Sequence, residues 1–334
     1  MTKYIIKRLL LLIPVLLGVS IIIFAIMRVF SPDPAGIVLG QHATEEKMIE
    51  WRVANGLDQP IITQYVEYMK GVFKGDFGTS YYSKKSVAKE IFSRFPATLE
   101  LAFCSIIIAS VFGITLGVIS AVKKNSWVDN ISMVLSLVGV SMPIFWLGIL
   151  LIILFSGTLG WLPSQGRIET LLRPENVTGF YLIDSLIKGN MEAFNSAIKH
   201  LVLPSVALAM YSMAIIARMT RSTMLETLSQ DYIRTARAKG IIEGKVIRKH
   251  ALSNALIPIV TVIGIQLGSL MGGAVLTETV FAWPGIGKYT VEAIMKSDFP
   301  IVQGVVLLVA FIFVMMNLIV DIIYAFLDPR IKYS

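Results

Sequence analysis

Long apolar stretches alternate with short polar segments along the whole chain. A helix needs about 20 mostly apolar residues to cross the hydrocarbon core of a bilayer, and six stretches approach or reach that length. The pattern therefore predicts an all-α integral membrane protein with six transmembrane helices. The six spans are expected at residues 9–27, at 101–122, within 130–166 and ending near Phe155, at 201–217, within 251–277, and from about 301 to 327.

The first apolar stretch follows Lys3, Lys7 and Arg8, so a cleaved signal peptide is an alternative to a span. The uncharged run over 9–27 is longer than the roughly 7 to 15 apolar residues of a signal peptide, and no clean small-residue cleavage site follows it. We interpret this stretch as a retained membrane anchor.

Composition supports the membrane interpretation and excludes several other classes of protein. Of 334 residues, 55% are hydrophobic and 16% are charged, whereas soluble proteins average about 25% charged residues. The single cysteine, Cys104, excludes an internal disulfide, and three histidines far apart in sequence argue against a local metal site. We therefore expect neither a catalytic residue nor a metal ligand in this chain.

The positions of Lys and Arg predict which side of the membrane each loop faces. Cytoplasmic loops carry an excess of basic residues, a rule that holds for loops of up to about 60 residues. With the N-terminus inside, the inner segments carry 15 basic residues and the shorter outer loops carry 6, once the long loop 28–96 is set aside. Both termini are thus predicted to be cytoplasmic. This orientation explains the net charge of +8 better than nucleic-acid binding does.

These spans divide the chain into four segments. Residues 1–30 form the N-terminal tail and first helix, and residues 31–96 form a sizeable extracytoplasmic loop or cap. Residues 97–327 form the permease core with the other five helices, including a cytoplasmic loop at 218–253, and residues 328–334 form a cytoplasmic tail.

The inner loop 218–253 contains a segment, 231–240, that is typical of a docking helix. It has small residues on part of its surface, flanking basic residues, and a glycine placed to end the helix. An ordinary basic loop that follows the positive-inside rule is the alternative. The candidate contact residues are Asp231, Tyr232, Arg234, Thr235, Ala236, Arg237, Ala238, Lys239 and Gly240.

Sequence stretches spread over the whole chain form a recognisable set. They are 4–34, GDFG at 75–78, SMPIFW at 141–146, LP at 162–163, 178–200, RSTMLE at 221–226, DYIRTARAKG at 231–240, HALSNALIP at 250–258 and ETVFAWPGIG at 278–287. With these stretches the chain closely resembles the inner-membrane permease subunits of bacterial ATP-binding-cassette importers for peptides and nickel. Within that family it looks most like the first permease subunit of dipeptide transporters.

The resemblance implies a type I importer permease and a set of partners. These are a second homologous permease, two cytoplasmic ATPase subunits that would carry ATP and Mg, an extracytoplasmic peptide-binding protein, a peptide substrate and membrane lipid. No cofactor is expected on this chain itself. Similar family members carry dipeptides, oligopeptides, nickel complexes or glutathione.

In that family the inner loop carries the EAA motif, Glu-Ala-Ala followed by three residues and Gly, which forms a coupling helix against the ATPase. Gly240 and Ala236 match the motif, whereas Arg234 and Thr235 stand in place of its Glu and first Ala. The resemblance therefore implies that residues 231–240 couple the ATPase to the spans.

The sequence contains no phosphate-binding loop of the form G-x-x-x-x-G-K followed by Ser or Thr. The nearest segment, 285–288, lacks the first glycine spacing and the final hydroxyl, and it is predicted to lie outside. We interpret it as a turn before an outer amphipathic segment, and we expect no ATPase site in this chain.

Two spans carry small residues at intervals of four, a pattern that lets transmembrane helices approach closely. The sequence leaves open whether these stripes meet the partner permease or helices of the same chain. The stripes comprise Ala109, Gly113, Gly117 and Ala121 in the second span, and Gly264, Gly268 and Gly272 in the fifth.

Polar side chains at membrane depth are costly and often functional. Gln266 and Asn317 are candidates to line the translocation path, with interhelical hydrogen bonding as the alternative for Gln266. Glu100 and Asp321 lie nearer to span ends, where Glu100 is expected to reach the outer headgroups and Asp321 to be interfacial or paired.

Two other classes of function remain open from the residues alone. A proton-driven secondary transporter would need an intramembrane acid or histidine relay, for which only Glu100 and Asp321 are available. A receptor or scaffold would use the inner loop for docking without moving a solute. Prolines at positions 14, 143 and 258 lie in or near spans and are expected to kink or interrupt them.

Overall fold

The computed structural model describes residues 2–40 and 42–327, without the side chains of 2–9, 273, 321 and 323–327. The expected cytoplasmic tail at 328–334 and the side chain of Asp321 lie outside the described residues.

The described chain is helical, and its only β pairing within the described ranges is an isolated bridge between Thr79 and Ser86. Short π-helical segments at Ile152–Thr158 and Val246–Leu252 continue α7 and precede α12, and a 3-10 turn spans Thr170–Leu172. The α-helices are α1 (Thr2–Val29), α2 (Pro34–Leu39), α3 (Glu45–Ala54), α4 (Ile61–Phe73), α5 (Val87–Val122), α6 (Trp127–Ser141), α7 (Ile144–Leu151), α8 (Tyr181–Ile187), α9 (Met191–Leu228), α10 (Asp231–Ala238), α11 (Glu243–Lys245), α12 (Ser253–Val280), α13 (Ile286–Met295) and α14 (Phe299–Leu327).

Five of these helices are long and apolar enough to cross a membrane, and a sixth span exists if one bent helix pair is counted. The bent pair joins α6 to the segment 144–158 at an angle of 105°. We expected one helix here, ending near Phe155, and that expectation was wrong. Met142 precedes Pro143 and adopts an extended conformation, because proline clashes with a helical residue before it.

The other two prolines do not end their helices. Pro14 lies inside α1 and Pro258 lies inside α12, and the chain remains helical through both positions. Of the three expected interruptions, the structure therefore shows a break only at Pro143.

The small-residue stripe of the second span packs against α9 of the same chain. A β-carbon on Gly117 would lie 2.6 Å from the carbonyl oxygen of Ala217, and one on Gly113 would lie 2.9 Å from that of Met213. The close approach of α5 and α9 therefore depends on these glycines, and it forms the centre of the bundle.

The stripe of the fifth span divides between two surroundings. Gly264 contacts Val320 of α14, and a β-carbon on Gly268 would lie 3.3 Å from the Phe313 ring. Gly272 has no described atom within 4 Å of such a β-carbon. Two of the three glycines thus serve packing within this chain, and the third faces open space.

The outer segment between α1 and α5 folds into short helices that rest on the start of α14. The Ser80 hydroxyl donates a hydrogen bond of 2.6 Å to the buried carboxylate of Asp298, and the Tyr81 amide donates another of 3.1 Å. Trp51 packs edge-on against Tyr81 at 5.1 Å between ring centroids. These contacts fix the cap to the sixth span.

Candidate functional site

The cytoplasmic coupling segment is built around helix α10. Its residues Ile233 and Ala236 are three positions apart and share one face of the helix. Both are buried, with 0% and 7% exposure, in the same apolar cluster as Val246 and Ala251. Helix α10 is therefore anchored to the segment that leads into α12.

Gly240 ends this helix in the way that its sequence position predicted. Its φ of +74° lies in the left-handed region, which glycine adopts without the strain that a side chain would bring. The Ile241 amide donates a hydrogen bond of 3.3 Å to the carbonyl of Ala236, as in a glycine-terminated helix. No described atom lies within 4 Å of a β-carbon built on Gly240, so the backbone conformation alone calls for glycine.

The exposed face of α10 is polar and basic. Arg234 is 74% exposed, and Arg237 pairs with Glu243 at 2.7 Å on the surface. Ala236, which we expected on a small-residue docking face, is instead buried against its own chain and acts as an anchor. The side chains that remain exposed are those of Asp231, Tyr232, Arg234, Thr235, Arg237, Ala238 and Lys239.

A second fixed point lies at the cytoplasmic end of α9. The guanidinium of Arg221 donates two hydrogen bonds of 2.7 Å to the buried carboxylate of Asp129 at the start of α6. The same carboxylate accepts from Ser120 and from the Asn125 amide. This junction joins α5, α6 and α9 directly beside the coupling segment. Sequence reasoning missed Asp129, although an acidic residue beside a long apolar run was a signal.

One apolar cluster joins α10 to the spans. It contains Ile233 of α10, Met224 of α9 and Ile259 of α12, and it extends to Trp283 at the outer end of the fifth span. Because protein interiors are close-packed and transmit strain, a displacement of α10 reaches the helices that cross the membrane.

The structure places the two path candidates differently. Gln266 is buried, and the Ser212 hydroxyl donates a hydrogen bond of 3.0 Å to its side-chain oxygen. This bond links α12 to α9, which is the interhelical alternative. Asn317 is half-buried on α14. The two residues therefore stand on different helices, and Gln266 has a packing role in this conformation.

The turn at 285–288 forms the entry to α13, as we interpreted it. The buried carboxylate of Glu278 accepts hydrogen bonds from the Thr98 hydroxyl at 2.6 Å and from the Lys288 amide at 2.9 Å. The amides at a helix N-terminus attract anions, and here Glu278 already occupies that position. The turn thus joins α12, α5 and α13.

Glu100 does not reach the outer headgroups, so that expectation was wrong. Its carboxylate pairs with Arg167 at 2.7 Å, and the two side chains are only 5% and 6% exposed. The Leu182 amide donates a further hydrogen bond of 3.0 Å to Glu100, and the guanidinium lies 3.9 Å from the centre of the Tyr181 ring. The loop between the third and fourth spans therefore folds inward over α5.

No group of three or more His, Cys, Asp or Glu side chains within the described ranges could hold a metal ion. The described arrangement offers a docking helix, fixed junctions at both ends of the bundle, and closely packed spans.

Comparison with known proteins agrees with this geometry. Residues 113–333 match the family model of the binding-protein-dependent transport system inner membrane component, and residues 1–102 match its N-terminal counterpart. The dipeptide transport system permease protein DppB of Alkalihalophilus pseudofirmus is 49% identical over 333 residues, covering 100% of both chains. The di/tripeptide transport system permease protein DppB of Pseudomonas aeruginosa is 46% identical over 335 residues, again covering 100% of both chains.

A solved structure shows the same fold. The structure described as inward facing conformations of the MetNI methionine ABC transporter matches with a TM-score of 0.51 and 21% identity, over 70% of this chain and 93% of that chain. The chain therefore belongs to the family of binding-protein-dependent transport system inner membrane components, as a multi-pass permease subunit of the bacterial inner membrane with the type I importer fold.

Proposed function

We propose that this chain forms one half of the translocation path of an ATP-driven importer of short peptides, with dipeptides as the main substrate. Full-length similarity to permeases named for dipeptide transport supports this substrate. A relative from Salmonella choleraesuis that is 41% identical is named for glutathione transport, so oligopeptides, glutathione and nickel complexes are the alternatives within the family.

The proposed assembly has five other components. A second homologous permease completes the path, two cytoplasmic ATPase subunits hold ATP and Mg, an extracytoplasmic binding protein delivers the peptide, and the peptide is the substrate. The observation that carries this proposal is α10, a helix with two buried anchors, Ile233 and Ala236, and an exposed polar face. A helix that only obeyed the positive-inside rule would not need such anchors.

Coupling follows from how α10 is held. When the ATPase subunits close on ATP, the docked helix moves with them as a rigid body. Its anchors lie in the cluster that contains Val246 and Ala251, and these residues lead directly into α12. The fifth span therefore moves with the ATPase, and release of the hydrolysis products returns it.

ATP hydrolysis itself is assigned to the partners. The sequence lacks a phosphate-binding loop. In its nearest candidate, the Lys288 amide is hydrogen-bonded to Glu278, so it is engaged within the chain. We infer that this subunit moves solute without an ATPase site of its own.

The deciding experiment compares Gly240→Val with Gly244→Val in the reconstituted transporter. Both glycines have open space where a β-carbon would lie, but only Gly240 has a positive φ. We expect Gly240→Val to abolish ATP-dependent dipeptide uptake, because it distorts the end of α10, while membrane insertion is retained. Gly244→Val should transport normally.

The same experiment separates the competing classes of function. Lost insertion, or undiminished uptake by Gly240→Val, would refute the coupling role. Uptake in ATP-free vesicles with a proton gradient would instead support a secondary transporter, and absence of uptake under every condition would support a receptor or scaffold. The pairing of Glu100 with Arg167 disfavours Glu100 as part of a proton relay.

A further inference from the structure

A cavity of about 340 Å³ lies at the outer end of the molecule, away from α10. It is enclosed by the end of α1, by α4 with the loop before it, and by the start of α14. Phe24 and Tyr81 form buried walls, whereas Asn55 and Gln59 are exposed at its rim. The cavity therefore lies within one chain and faces the extracytoplasmic side.

Unpaired polar atoms concentrate in this cavity. Among the described residues, seven buried side-chain nitrogen or oxygen atoms have no hydrogen-bond partner, and four of the seven belong to residues that line it. Buried polar groups are normally paired, and each exception calls for an explanation. The four atoms are Arg28 Nε, Gln64 Oε1, Tyr68 Oη and Gln303 Nε2.

These atoms provide a mixed set of donors and acceptors. Arg28 brings a positive charge and an N–H donor, and Gln303, only 3% exposed, brings an amide donor. Guanidinium and amide N–H groups together suit a carboxylate. Gln64 offers an acceptor, and Tyr68 can donate or accept. Glu67 lies on the exposed side of α4 and adds a negative charge at the rim.

Size and shape also favour a small ligand. Pockets for small molecules usually measure about 300 to 1,000 Å³ and combine apolar walls with a few placed polar groups. The cavity falls within this range and holds the volume of roughly ten water molecules. A ligand with one carboxylate and one ammonium or amide N–H group matches the lining.

We propose that this cavity is a binding site for a small zwitterion, an amino acid or a dipeptide, whose carboxylate is held by Arg28 and Gln303. The Gln64 oxygen and the Glu67 carboxylate receive its N–H groups. The site lies apart from the path between two permeases, so it does not rest on the proposed transport role. Its occupancy ties α1, α4 and α14 together through one ligand.

The test measures binding to the full-length chain in lipid nanodiscs, without ATP or a binding protein. The probe is radiolabelled alanyl-alanine, compared with alanyl-alaninamide, which has no carboxylate. We expect saturable binding of alanyl-alanine and about tenfold weaker binding of the amide, because a hydrogen-bonded charge is lost.

Variants place the binding in this cavity. Gln303→Met keeps the side-chain length and removes the amide, so it should weaken binding by about tenfold. Gln165→Met is the matched control, because Gln165 is an exposed glutamine on another outer loop, and it should bind normally. Tyr68→Phe removes only a hydroxyl and tests the site again if Gln303→Met fails to fold.

Several results would overturn the proposal. These are no saturable binding up to millimolar probe, which would mean that water alone satisfies the cavity, and equal binding by Gln303→Met and Tyr68→Phe, which would place the probe elsewhere. Uptake is measured separately. Gly240→Val should retain cavity binding while losing uptake, so the two proposals can fail independently.

Discussion

The carboxylate of Glu278 lies against the backbone of Gly285, so that a β-carbon at position 285 would overlap its oxygens. The φ of Gly285 is −92°, which any residue can adopt. Glycine is needed here for space, and not for an unusual backbone conformation. This contact allows the end of α12 to hold the first turn of α13.

Gly285→Ala should destabilise the outer junction by about 1–3 kcal/mol, the usual cost of overpacking. The extra methyl group must displace Glu278 from Thr98 and from the Lys288 amide. Thermal unfolding of the purified protein in detergent, followed by tryptophan fluorescence, measures the effect. Gly36→Ala is the control, because no described atom lies within 4 Å of its β-carbon position. Equal melting temperatures for the two variants would show that the junction yields without cost.

Glu100→Gln should destabilise the protein by about 3–5 kcal/mol, because it leaves the buried charge of Arg167 without its partner. The measurement is the melting temperature, and the double variant Glu100→Gln with Arg167→Met should recover part of the loss. The exposed pair Glu175 and Lys188 provides the control. Glu175→Gln should change nothing measurable. A stable Glu100→Gln variant would contradict the structural role given to this pair.

Gly264→Ala and Gly272→Ala should differ sharply, although both glycines belong to one stripe of α12. A methyl group on Gly264 meets Val320, whereas one on Gly272 meets no described atom within 4 Å. We expect Gly264→Ala to lower stability by about 1–3 kcal/mol and Gly272→Ala to leave the isolated chain unchanged. Detergent-solubilised melting curves test both.

Gly272→Leu then tests the partner surface. If this position faces the second permease, the larger side chain should reduce co-purification of that subunit while the isolated chain melts normally. Full recovery of the partner would place the interface elsewhere on the chain.

Arg221→Met should weaken the cytoplasmic junction by about 2 kcal/mol, because charge-assisted hydrogen bonds to the buried Asp129 carboxylate are lost. We also expect slower ATP-dependent uptake, since α9 then loses its tie to α6 beside the coupling segment. Arg218→Met is the matched control: Arg218 is an exposed arginine on the same helix, about one turn earlier. Similar uptake by the two variants would argue that the junction has no part in coupling.

Features governed by local chemistry could be predicted from the sequence. The spans, the helix at α10, its end at Gly240 and the turn at 285–288 all follow from periodicity, apolar length or glycine. The break at Pro143 was expected as an interruption, but the bend of 105° was not. A proline predicts where a helix is weakened, whereas the new direction depends on what the next segment packs against.

Features that depend on a distant partner could not be predicted. Glu100 meets Arg167 across 67 positions, and Asp129 meets Arg221 across 92. A single sequence contains no information on which acid meets which base, so Glu100 was placed at the membrane surface. The small-residue stripes were recognised for the same reason that their partners were not: glycine spacing shows that a helix approaches closely, but not which helix.

The apolar cluster from Ile233 to Trp283 has a consequence that works in both directions. If two ends of a molecule share one packed column, a ligand that shifts the equilibrium at one end changes affinity at the other by the same factor. A protein that grips the outer end near Trp283 would then alter the affinity of α10 for whatever binds there, before any solute has moved. Such reciprocity would let the cytoplasmic side sense, through one chain, whether the outside is occupied.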